Sequence, residues 1–468
     1  MLCCKISCRF KFCCWRTDDS PMRGTRRTAV AACLAGATMV GFVASVPVVT
    51  AAARPVPQKT STTQTLAPGL TLTRITDPEG PWILRVLTVD PSMPVTLDIA
   101  TAGGAMGTYA RPSAIGSAHG ALAAINGDFT VDPGRPLHPF AEDGSLKELG
   151  LQNGASFAIS QDETQSFIDT EEVTVKGRNM TTKRFFPVVE WNTGDPTGGE
   201  VVAFTPYGGS AEQPPSDACS ARLKPAGKMT FGKDGVGLVR DYKVSRRLCA
   251  PAAMAMRAGS VVVSADISGN GATAIREMKK RHIVRLTWSF GWPGVLDSIG
   301  GMPQLVRNSK NIAHTCSSYF CSKNPRTAMG VKADGAILLV TVDGRKTSSV
   351  GMTLIQLGKY MVDLGSVSAV NLDGGGGSAM WVDGQGVVSD PSDRSGERAV
   401  TNAVLVLPGT DEAEPGLAGA IGSFGLVDPE ALFAPPLSPA QARATMALAL
   451  ADAGSTGGLF EALANGDV

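Results

Sequence analysis

The sequence predicts a single α+β domain, rich in β-sheet with a few helices, over residues 69–408. Three observations predict it. Short apolar and β-branched runs recur along that span, bounded by Gly, Asn, Asp and Pro. Helical periodicity is sparse. Glycine and proline are abundant, 54 and 30 of 468 residues, as a chain of many strands and turns requires. Length alone allows two or three domains, or one large domain with appendages. A hydrophobic content of 43% supports a real core.

Residues 1–53 read as an N-terminal extension followed by a signal peptide. Arg23, Arg26 and Arg27 precede an apolar stretch from about Ala29 to Val49, and Ala51-Ala52-Ala53 offers a cleavage site. This points to a secreted or cell-surface protein cleaved near Ala53. The alternative is an N-terminal membrane anchor, because a bilayer span needs about 20 apolar residues. The first 21 residues hold five of the ten cysteines and fit no signal, so Met22 is the more natural start; a Cys-rich arm is the other reading. Residues 54–68, rich in Pro and Thr, read as a linker.

From Leu70 the runs "WILRVLTVD", "MPVTLDIAT", "ALAAIN", "FAIS", "VVAFTPY" and "SVVVSADI" read as strands. "GATAIREMKKR" suits a short helix. "AMGVKADGAILLVTVDGR" reads as a hairpin around Asp334-Gly335. Leu354, Leu357, Tyr360, Met361 and Leu364 recur at three- and four-residue steps, the clearest helix, which Thr353 can cap and Gly365 can end. "SAVNLD" is then a buried strand, "SAMWVDGQGVV" a hairpin and "AVTNAVLVLP" the last strand. Residues 409–468 form an Ala/Gly/Pro-rich tail.

The formal net charge is +1 and no basic stripe runs along the chain, which argues against a nucleic-acid partner. Cleavage would leave Cys219, Cys249, Cys316 and Cys321. An even count in an exported chain suggests disulfides, and of three possible pairings the local ones, Cys219–Cys249 and Cys316–Cys321, are favoured. A zinc site fits poorly, for want of close cysteine spacing and nearby histidine. His119, His138, His282 and His314 lie in no triad-like or metal-like context and read as structural or surface residues.

Four polar stretches stand at the ends of apolar runs: "AINGDF" with Asn126, Gly127 and Asp128; "NPRTAMG" with Asn324, Arg326 and Thr327; "VTVDGR" with Asp343 and Arg345; and "NLDGGGGSAMW" with Asp373 and four glycines. Read singly, the first and third are turns and Arg326 a surface residue. The glycines have no Lys-Ser/Thr after them and no helix pattern, which argues against a nucleotide P-loop.

Taken in order, these segments, with "GMTLIQLGKYMVDLGSVSAV" and "PSDRSGERAVTNAVLVL", resemble the phosphodiester glycosidase family. The resemblance spans roughly Leu84 to Leu407 and is strongest over 324–406. It implies hydrolysis of a sugar-1-phosphodiester outside the cytoplasm, on a capped sugar phosphate or on cell-wall or exopolysaccharide phosphoglycans. Carried over, Asp128, Asp373 and Asp343 are the catalytic carboxylates. Asn126, Gly127, Arg326, Thr327, Gly374, Gly375, Gly376 and Ser378 are the substrate contacts. Arg326 would grip the phosphate. Backbone amides of Gly374 to Gly377 would add donors, and a carboxylate would face the developing oxocarbenium charge. The chain has Gly377 where members of the family commonly have Ser or Ala. No cofactor or metal is implied, although an all-carboxylate site for calcium or magnesium stays open. The rival readings are a non-catalytic surface protein that binds anionic glycans and a metal-dependent phosphodiesterase. Oligomeric state is not readable.

Overall fold

Strands dominate because β-branched and apolar runs alternate their burial. In the strand Trp82–Val89, Leu84 and Val86 enter one core while Leu87 and Val89 enter another. The computed structural model describes residues 58–409 except 153, 163, 171–172, 195 and 197–198. The expected signal peptide, and all of the tail beyond residue 409, lie outside the described residues. The described residues group as one compact unit.

An eight-stranded sheet runs through Trp82–Val89, Ile337–Val342, Arg326–Lys332, Ser366–Asn371 and Gln304–Arg307 in that order. One face packs on a five-stranded sheet containing Met380–Val382, Ala123–Asn126, Asn402–Pro408 and Val95–Thr101; Met329 and Val370 share a core with Ile125 and Val404. The other face receives the helix Leu354–Asp363 through Leu357, Tyr360 and Met361. That helix carries the expected Thr353 cap: its hydroxyl accepts from Gln356 N while Gln356 Oε1 accepts from Thr353 N. Gly365 follows at φ +94°. A nine-stranded sheet has its own core around Trp191, Trp288 and Phe290.

The hairpin of Arg326–Lys332 with Ile337–Val342 and the last strand Asn402–Pro408 are as expected. So are both disulfides, Cys219–Cys249 and Cys316–Cys321. The linker reading fails over residues 60–67. Thr60–Ala67 is a strand, paired antiparallel with Leu70–Asp77 at the edge of the eight-stranded sheet. Its threonines suit a pleated surface even where nothing covers them, so polarity masked a β-former. Among the described residues no helix is long and apolar enough to cross a membrane.

Candidate active site

The glycine stretch is where the chain leaves one sheet for the other. Ser366–Asn371 ends in the eight-stranded sheet, and Met380–Val382 begins in the five-stranded one. Asn126, at the end of Ala123–Asn126, locks the crossing. Its Nδ2 donates to Asp373 O at 2.7 Å, and its Oδ1 accepts from Thr327 Oγ1 at 2.7 Å and Ala379 N at 3.1 Å. Leu372 N donates to Thr327 O, and Asp373 N to Gly127 O. Asn126 and Thr327 are fully buried. Expected as substrate contacts, they instead spend their polar atoms on the scaffold. Gly127 belongs to it too, because a Cβ there would run into Asn402 Oδ1. That oxygen accepts from Asp128 N at 2.7 Å.

Gly375–Gly377 forms one short 3-10 turn. The expected row of free amides is mostly spent: Gly374 N donates to Asp373 Oδ1, Gly375 N to Pro325 O and Gly377 N to Gly374 O. Ser378 keeps a buried Oγ with no hydrogen-bond partner among the described residues.

The three expected catalytic carboxylates part company. Asp373 is partly exposed, and burial pushes its pKa up to about 6 against the pull of Gly374 N and the Arg398 cation; the Asp128 carboxylate adds to the rise. Its Oδ1 takes the Gly374 amide, while Oδ2 faces Gly377, lying 2.7 Å from where a Cβ on that residue would be. A Ser or Ala there would therefore have to displace the carboxylate.

Asp128 is enclosed. Its side chain has no exposed surface, and His138 fills both oxygens, backbone N to Oδ2 at 3.0 Å and Nδ1 to Oδ1 at 2.7 Å. Burial still raises its pKa, with His138 opposing. A carboxylate so held cannot touch a substrate, which corrects its reading as a catalytic group. His138 is equally enclosed, with Nε2 unpartnered among the described residues, so it is structural as expected but paired with an acid the sequence did not connect to it.

Asp343 is also tied down. It pairs with Arg85 Nη1 at 3.0 Å and accepts from Asp390 N at 2.9 Å, while burial raises its pKa. It holds the loop around Asp390 and is not an open carboxylate.

Arg326 does not offer a free fork either. Nε donates to Met352 O at 2.9 Å, and Nη2 donates to Phe320 O and Ser322 O at 2.7 Å each. Burial, with the neighbouring Arg345 cation, draws its pKa down to about 10. The exposed cations at the glycine turn are Arg345 and Arg398. Arg345, at φ +61°, donates Nη2 to Asn324 Oδ1 and Nη1 to Ser392 Oγ, reaches the turn at Gly375, and makes no ion pair among the described residues. Arg398 pairs with Asp393 at 2.7 Å and packs against Gly376. Sequence reasoning placed both in motifs without assigning them; their signal was position, next to Asp343-Gly344 and inside "PSDRSGER".

A separate acidic cluster, Asp98, Asp143 and Asp297, brings three carboxylate oxygens within 4.8 Å of one another. Burial raises all three, Asp98 to about 6, with repulsion from neighbouring carboxylates, Glu142 among them, adding to it. It includes none of the residues at the glycine turn.

The phosphodiester glycosidase family model matches residues 230–407, which bears out the resemblance read in the sequence. A prophage-derived protein of Bacillus subtilis (strain 168), YomE, is 35% identical over 92 residues, 20% of this chain and 14% of that one. A hypothetical protein from Synechocystis superposes with TM-score 0.56 at 18% identity, over 72% of this chain and 62% of the other. A protein from Burkholderia pseudomallei K96243, provisionally described as exported, superposes with TM-score 0.53 at 20% identity, over 76% of this chain and 97% of the other. The two structures share the fold. The chain thus spans about a seventh of YomE and less than two thirds of the Synechocystis chain.

Proposed function

We propose that this protein, whose residues 230–407 match the phosphodiester glycosidase family, hydrolyses a sugar-1-phosphodiester by breaking the C–O bond at the anomeric carbon. Asp373 carries the proposal: of the three acids its sequence context offered, it alone is open, and its pKa of about 6 suits a group that works ionised near neutral pH. Two exposed arginines flank the same turn. Arg345, without a carboxylate partner among the described residues, takes the phosphate, and Arg398 adds charge beside Asp373.

The reaction follows from that placement. A phosphomonoester leaves readily, so the bond needs little acid assistance. Arg345 and Arg398 stabilise the charge gathering on the departing phosphate. The Asp373 carboxylate faces the positive charge growing at the anomeric carbon and there attacks or activates water. Asn126 and Thr327 act at a distance by fixing the Asp373 backbone. The formed disulfides favour an oxidising location, so the substrates we propose are phosphoglycans of a cell surface.

The test is hydrolysis of a sugar-1-phosphate methyl diester in oxygen-18 water. Label in the released sugar is the expected result, with kcat lowered ~10³-fold in Asp373→Asn. Label in the phosphate would make the protein a phosphodiesterase and end this reading.

A further inference from the structure

The Cys316–Cys321 loop carries Tyr319, the most exposed large apolar side chain among the described residues, at 69%. A lone exposed ring needs no explanation. This one differs in its mounting. The disulfide closes the loop, and Tyr319 O accepts from Ser322 N and from Asn324 Nδ2 at 3.0 Å. The Arg326 guanidinium clamps the next carbonyls, Phe320 O and Ser322 O. Phe320 turns inward onto Phe129, ring centroids 5.8 Å apart, directly after Asp128. So the backbone is fixed from four sides, and the Tyr319 ring is left outside. Its one charged neighbour of note is Arg345, whose guanidinium lies 5.8 Å from the ring centroid and reaches the glycine turn at Gly375.

We propose that Tyr319 is the platform for a second sugar ring, the one that departs bearing the phosphate. The inference rests on the phosphodiester reading. With the phosphate on Arg345, the group esterified on its far side comes next to the Tyr319 face. Sugars present a face of C–H groups to an aromatic ring, and Tyr offers large area with little conformational freedom to lose. The rigid mount keeps the ordering cost of stacking low. Tyr319 is thus a specificity-determining residue for what lies beyond the phosphate, and the disulfide preserves its position.

Calorimetry on Asp373→Asn protein, whose turnover should be ~10³-fold slower, tests this with two probes: a sugar-1-phosphate methyl diester and a diester joining two sugars. Adding Tyr319→Ala should weaken the two-sugar diester ~3- to 10-fold and leave the methyl diester within about twofold. Tyr319→Phe should restore binding, and the Cys316→Ser, Cys321→Ser pair should reproduce the selective loss. Equal losses on both probes, or none on either, would overturn the platform while leaving the phosphodiester reading standing. If neither probe binds any form of the protein, that reading falls and takes the platform with it.

Discussion

Asp128 and Asp373 each lie two residues beyond an apolar strand, Ala123–Asn126 in one sheet and Ser366–Asn371 in the other, and meet opposite fates. Asp128 is sealed, both oxygens filled by His138 ten residues on. Asp373 keeps one oxygen on its own turn and turns the other toward Gly377. Burial raises both pKa values, yet only Asp373 retains a surface through which a substrate can be met. Environment, and not residue type, divides a scaffold acid from a working one. The same division separates two arginines: Arg326 is spent on three carbonyls, and Arg345 stands free of any ion pair among the described residues.

The sharpest way to break the comparison is to remove each acid. Asp128→Ala leaves the His138 amide and Nδ1 unpaired in the interior, so unfolding in urea should show a loss of ~3–4 kcal/mol. Asp373→Asn should unfold within about 1 kcal/mol of wild type while losing activity. Equal destabilisation would erase the distinction. Next come the arginines. Arg326→Ala should cost ~2–3 kcal/mol of stability by orphaning buried carbonyls, whereas Arg345→Ala should leave the denaturation midpoint alone and raise KM ~10- to 100-fold. The smallest effect belongs to Gly377→Ala. The backbone there is ordinary, and the Cβ meets only the Asp373 carboxylate, so stability should hold within about 0.5 kcal/mol. Steady-state kinetics should show kcat falling ~10-fold as the carboxylate is pushed aside.

Much of this was legible in the sequence. Apolar and β-branched runs located the strands, and Thr353 and Gly365 bracketed the main helix. The resemblance drew Asn126, Thr327 and Asp373 together, and they do meet. What stayed hidden depends on partners far along the chain or on burial. Asp128 looked catalytic because nothing local says that the His138 ring folds back over it. Arg326 looked like a phosphate fork because its acceptors are backbone carbonyls, which carry no side-chain signature. The Thr60–Ala67 strand was read as linker because its exposed edge lacks apolar alternation.

The most direct test is the pH dependence of kcat/KM for a sugar-1-phosphate diester, in wild type and in Arg398→Ala. Asp373 works ionised, so activity should rise with pH through about 6 and then level off. Arg398 holds that pKa down, so its removal should carry the limb to higher pH. A limb that falls with rising pH, or one that Arg398→Ala leaves unmoved, would contradict the assignment of Asp373 as the working carboxylate.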